Sequence, residues 1–135
     1  MNENHLNEKS RPAQIHQQYV QLIQEHLTNL VSGKVDKMFE IEDFAQALCI
    51  HPTHLTNTMK ELTGMSACGI FQTEIGHLAK ALLGNPEYKI QDVALILDFE
   101  PTQFTKWFRR IFEITPKEFR TAQLKNLNQD HFPNS

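Results

Sequence analysis

Between residues 101 and 125 the chain holds Lys106, Arg109, Arg110, Lys117, Arg120 and Lys125 against Glu113 and Glu118, a net of +4 on a protein of formal charge −3. The rest of the sequence therefore carries a net of −7. Screening over roughly 8 Å at physiological salt hides such distant acidity, so the basic segment can still neutralise phosphate. Within it Thr102, Gln103, Thr105, Lys106, Arg109 and Arg110 offer the groups that read and grip a nucleic-acid duplex. A glutamine amide forks onto an adenine edge, a threonine touches a thymine methyl or a phosphate, and lysine and arginine take phosphate oxygens. A less basic set, Thr53, His54, Thr56, Asn57 and Lys60, stands earlier in the chain. A single Thr or Asn is as readily a plain solvated position. The density of Lys106, Arg109 and Arg110 favours phosphate contact.

Other chemistries fit poorly. There is no glycine-rich phosphate loop and no nucleophile beside a placed base, so no enzymatic activity is expected. Cys49, His51 and His54 lie close in sequence, but structural zinc needs four ligands in closed geometry, and no metal or other cofactor is expected. The two cysteines, Cys49 and Cys68, are too few for a disulfide framework and read as small apolar residues of a reducing, cytoplasmic protein. Met1 to Gln14 has no apolar core of a signal peptide, and no segment approaches a membrane span. Trp107, set between Phe104 and Phe108, is expected to pack rather than to stack on a partner.

The elements that would position these residues follow from periodicity. After a polar leader expected to be flexible (1–14), Ile15, Tyr19, Leu22, Ile23, Leu27, Leu30 and Val31 recur at three- and four-residue steps and predict one helical face, which Ser32 and Gly33 end. A short helix is predicted from about Ile41 to Leu48. A turn then leads to Pro52, suited to the first position of a helix reaching about Leu62. Gly64 fits a left-handed cap, and Ser66 an N-cap for a long helix to Leu83, with Ile70, Phe71, Ile75, Leu78 and Leu82 facing inward. The organisation expected is a helix and first helix-turn-helix unit over 15–65, a linker helix over 66–83, a second unit and closing helix over 84–125, and a polar tail over 126–135.

An internal repeat fixes the architecture. Adding 49 to the residue number carries Ile41, Asp43, Ala45, Leu48 and Pro52 onto Ile90, Asp92, Ala94, Leu97 and Pro101. It also carries Leu55, Thr56, Met59 and Lys60 onto Phe104, Thr105, Phe108 and Arg109. Each unit is a short helix with an inward Ala, a tight turn, and a second helix with apolar residues three and four apart, which is a helix-turn-helix. The fold class expected is all-α: two helix-turn-helix subdomains joined by a long linker helix, about seven helices in all.

Over about Ile41 to Arg120 the sequence resembles the C-terminal DNA-binding domain of AraC/XylS transcription regulators. The resemblance rests on Leu62-Thr63-Gly64-Met65-Ser66, Ala79 with Leu82-Leu83, and Ile90-Gln91-Asp92-Val93-Ala94. It is strongest in Phe99, Phe104, Phe108-Arg109-Arg110, Thr115-Pro116 and Phe119-Arg120. Thr115-Pro116-Lys117-Glu118 also spells a capping box with proline at the first helical position. Four positions depart from the family: Asp98 stands where it favours glycine at the turn of the second unit, Cys49 holds the equivalent place in the first, Ile75 replaces an arginine and Ala67 a proline. Asp tolerates left-handed backbone better than Cys does.

The resemblance implies a sequence-specific regulator of transcription initiation that binds double-stranded DNA, often activating by contact with RNA polymerase. A linker helix of 18 residues spans roughly 27 Å at about 1.5 Å each, against about 34 Å between successive major grooves on one face. One chain is thus expected to suffice for two adjacent grooves, with some bending of the DNA. The alternative is a helix-turn-helix-shaped protein-interaction module with weak or no DNA binding, which the acidic body and the weakly basic first unit would allow.

Overall fold

The computed structural model describes residues 10–131, with side chains described through residue 126, and seven helices make up its secondary structure among those residues. They are α1 (Arg11–Ser32), α2 (Ile41–Ala47), α3 (Pro52–Thr63), α4 (Ala67–Leu83), α5 (Ile90–Ile96), α6 (Pro101–Phe112) and α7 (Pro116–His131). The architecture is all-α, as expected. None of these helices is long and apolar enough to cross a membrane.

α1 begins at Arg11 rather than near Ile15, because the Ser10 hydroxyl accepts the Ala13 N–H at 3.3 Å and Pro12 falls in the first turn, where its missing N–H costs nothing. Most of the expected leader, residues 1–9, lies outside the described residues, as do the last four residues of the expected tail. α7 continues to His131.

Backbone contacts divide the described residues into two units, 10–29 with 39–73 and 30–38 with 74–131. In the first, Ile15, Tyr19, Ile23 and Leu27 of α1 are buried with Phe44 and Ala45 of α2, Leu55, Thr58 and Met59 of α3, and Ala67, Ile70 and Phe71 of α4. The Tyr19 ring meets Phe44 edge-on at 5.3 Å, and its hydroxyl donates to the Ala67 carbonyl at 2.7 Å. Burial pushes the Tyr19 phenol well above its usual range, so that donor is permanent. His26 lies on the same buried stripe of α1, stacked on Phe39 with ring centroids 3.9 Å apart. Val31, expected on that face, is 37% exposed, because it falls a step beyond the stripe that Leu27 and Leu30 close.

In the second unit the core gathers Ile75, Ala79, Leu82 and Leu83 of α4, Val93 and Ala94 of α5, Leu97, and Phe104, Trp107 and Phe108 of α6. Phe112 packs on Phe108 at 4.7 Å and lies so near Gly76 that a Cβ there would come within 2.7 Å of its ring. Lys80 Nζ sits 3.9 Å above the same ring. The expected capping box closes α7: the Thr115 N–H donates to Glu118 Oε1 at 2.8 Å, and the Glu118 N–H to the Thr115 hydroxyl at 3.1 Å. The Thr115 N–H first, and the Thr115 hydroxyl second, hold the exposed Glu118 carboxyl below its ordinary range.

The 49-residue repeat is obeyed by the backbone. α5 and α6 begin and end 49 residues after α2 and α3. Asp43 and Asp92 each accept the N–H of the residue preceding their helix, Glu40 at 2.7 Å and Lys89 at 3.1 Å. In the turns, the Ile50 N–H reaches the Ala45 carbonyl at 3.0 Å and the Phe99 N–H the Ala94 carbonyl at 2.8 Å. Cys49 (φ 59°) and Asp98 (φ 63°) both adopt the left-handed conformation that glycine takes at least cost. Asp98 gains a partner in exchange: its carboxylate accepts the Met38 N–H at 2.8 Å.

Candidate nucleic-acid interface

Which side chains α3 and α6 can present is decided by what they bury. Leu55, Thr58 and Met59 turn one side of α3 into the first core, as Phe104, Trp107 and Phe108 do for α6 in the second. Helical spacing then puts the polar residues between them on the opposite side. On α3, Thr53, His54, Asn57 and Lys60 are exposed and Thr56 is half-buried. On α6, Thr102, Gln103, Lys106, Arg109 and Arg110 are exposed and Thr105 is half-buried. The structure thus brings each predicted set together on the free face of one helix, five residues on α3 and six on α6.

Each of these helices enters from a tight turn with proline at its first position and ends in a left-handed residue, Gly64 (φ 82°) for α3 and Glu113 (φ 67°) for α6. Their N-terminal ends, where N–H groups favour anions, carry Thr53 and Thr102 as second helical residues. The two faces differ in charge. Lys60 is followed by Glu61 on α3, whereas α6 carries Lys106, Arg109 and Arg110 with no acidic residue. None of these four cations makes an ion pair among the described residues. Such groups bind phosphate without first breaking a bond inside the protein.

Three features escaped the sequence. His51, weighed there only as a metal ligand, is the N-cap of α3, its Nδ1 accepting the Thr53 N–H at 3.1 Å; proline at the next position was the available signal. Arg120 belongs to the basic segment by composition but not to this face. Its Nε donates to the Leu83 carbonyl at 2.9 Å and its Nη2 to the Asn85 carbonyl at 3.3 Å, closing the C-terminal end of α4. Thr58, the counterpart of Trp107 in the repeat, is buried although polar. Trp107 itself is 6% exposed and packs 5.0 Å from Phe99, so it fills the core as expected.

A family model described as a helix-turn-helix domain matches residues 44–122, more than half of the chain. No curated protein matches the sequence significantly. Among solved structures, the C-terminal domain of AraT, a response regulator from Geobacillus stearothermophilus, is similar with a TM-score of 0.70 and 22% identity, over 84% of this chain and 88% of that one. The C-terminal domain of the two-component response regulator yesN from Fusobacterium nucleatum is similar at 0.61 and 25% identity, over 74% and 95%. The DNA-binding domain of the global transcriptional factor AdpA, solved with a target DNA, is similar at 0.59 and 21% identity, over 82% and 98%.

Proposed function

This chain belongs to the AraC-type helix-turn-helix family of DNA-binding transcription regulators, and from that premise we propose that it reads double-stranded DNA with α3 and α6, each in one major groove. The observation that carries the assignment of α6 is its exposed face, where Lys106, Arg109 and Arg110 stand beside Thr102, Gln103 and Thr105. Gln103 has the amide fork that pairs with adenine, and the three cations line up for phosphate oxygens. α3 contributes Thr53, His54, Thr56, Asn57 and Lys60, with less charge, so the second unit anchors and the first adds selectivity.

One chain supplies both reading helices, so a monomer is sufficient, and the site is asymmetric because the two faces differ in sequence. The protein acts in the cytoplasm without a cofactor or a catalytic step, and RNA polymerase is the second partner through which it alters initiation. The test is salt-dependent binding of the double variant Lys106→Ala with Arg109→Ala. If both residues contact phosphate, the slope of log affinity against log salt becomes shallower by about 2, and binding weakens across all sequences alike. An unchanged slope and affinity would remove this face of α6 from the DNA.

A further inference from the structure

The first unit uses two histidines in the same unusual way, as acceptors of a backbone N–H. His26, 3% exposed, takes the Phe39 N–H on Nε2 at 2.9 Å and so ties the connection between α1 and α2 to the core. His51 takes the Thr53 N–H on Nδ1 at 3.1 Å and caps the reading helix α3. A ring nitrogen that accepts must be bare, and a protonated imidazole has donors on both nitrogens. Protonation therefore sets donor against donor at both places, and at His51 it also puts a cation on the positive end of α3. In the second unit the N-cap of α6, Glu100, makes no side-chain cap hydrogen bond, and the N–H groups of Met38 and Thr115 go to the carboxylates of Asp98 and Glu118. Its His77 is solvent-exposed and lies 3.8 Å from Glu74, a contact that protonation strengthens.

We infer that mild acid selectively disengages the first unit from DNA, by releasing Phe39 from His26 and uncapping α3 at His51, while the second unit stays bound. This regulation rests on the assignment of α3 as a DNA-reading helix. The surroundings of His26 set the direction of its response. α2 faces it with the Phe44 ring and with the Asp43 carboxylate, the connection with the Phe39 ring, and α4 with the Phe71 ring, while Glu25 beside it on α1 and Glu40 beside Phe39 are exposed. Desolvation lowers the His26 pKa from its ordinary value, and the Asp43 charge opposes that only in part. A base with a depressed folded pKa binds fewer protons in the folded unit, so its contribution is whole above the ordinary histidine range and is lost as the pH falls through the folded value. His51 is exposed, and the ionisable residues nearest it in sequence are Cys49 and His54. His54 lies on the reading face, where a proton would add phosphate attraction, so the two effects on DNA affinity have opposite signs and the assay separates them.

The experiment uses the full chain between about pH 7.5 and 5.5, bracketing the ordinary histidine range. Amide hydrogen exchange without DNA, corrected for its intrinsic pH dependence, is expected to show protection across residues 39–63 falling at least about fivefold relative to residues 90–112, the change that loss of one N-cap produces. Footprinting and anisotropy on a labelled duplex retained from genomic fragments at the higher pH are expected to show affinity falling by about tenfold. The footprint should shrink from about two helical turns to one. His51→Asn, which keeps an acceptor at every pH, should recover part of the loss, and His26→Gln, whose amide oxygen can still accept from Phe39, a further part. Affinity that is flat or rises on acidification, or protection lost equally in both units, would overturn the inference. Absence of DNA binding at every pH would defeat the DNA-reading assignment and the regulation of binding with it, while the exchange measurement, which contains no DNA, still decides whether the two histidines loosen the first unit.

Discussion

Replacing Arg120 by alanine removes the clamp on the end of α4 and nothing from the proposed DNA face. The guanidinium makes one well-formed bond, Nε to the Leu83 carbonyl at 2.9 Å, and one longer bond, Nη2 to the Asn85 carbonyl at 3.3 Å. A hydrogen bond with one charged partner contributes about 1.5–3 kcal/mol, and leaving a partly buried acceptor bare accounts for much of that. Because Arg120 is half-buried and the second bond is long, the lower part of the range applies, and the expected loss is about 2 kcal/mol. In a urea titration with a slope of about 1.5–2 kcal/mol per molar, the midpoint falls by about 1 M. Arg120→Lys keeps the charge at the helix C-terminus, worth about 0.3–1 kcal/mol, but loses the fork, so it should recover less than half. The salt slope of DNA binding should stay at the wild-type value in both variants. Full rescue by lysine would show that only the charge matters, and a loss below about 0.5 kcal/mol for alanine, the scale of an ordinary surface substitution, would refute the clamp.

Cys49 and Asp98 share a left-handed backbone, yet their glycine variants should move stability in opposite directions. Cys49→Gly relieves strain of about 1 kcal/mol and should be neutral or stabilising, whereas Asp98→Gly also leaves the Met38 N–H without its acceptor and should destabilise by about 1 kcal/mol in the same thermal melt. Because the Glu118 carboxyl is held low by the Thr115 backbone N–H first and its hydroxyl second, its contribution is present above the ordinary carboxylate range and lost as the pH falls through its folded value. Glu118→Gln should flatten that part of the acid limb of a stability-against-pH curve, and an unchanged limb would assign the acid loss to other groups.

The repeat was legible because its marks are local. Pro52 and Pro101, Ala45 and Ala94, and the apolar positions at steps of three and four need only a few neighbouring residues to be recognised. The outward faces of α3 and α6 followed once the buried positions were known. What could not be read depends on partners distant in sequence. His26 breaks the apolar pattern of α1 and is tolerated because the Phe39 N–H, 13 residues on, satisfies it. Asp98 finds its acceptor role with Met38, 60 residues earlier, and Arg120 is drawn off the basic surface by a carbonyl 37 residues upstream. Composition counts all three as ordinary polar residues, and only the fold shows that each is engaged.

The most direct test of the central claim is to select genomic duplex fragments on the full chain at two salt concentrations, sequence the retained fraction, and footprint the enriched site. A DNA reader with α3 and α6 in successive major grooves should enrich one asymmetric site and protect about two helical turns, with affinity falling steeply as salt rises. No enrichment together with no salt-sensitive binding would contradict it and leave the helix-turn-helix units as surfaces for another protein.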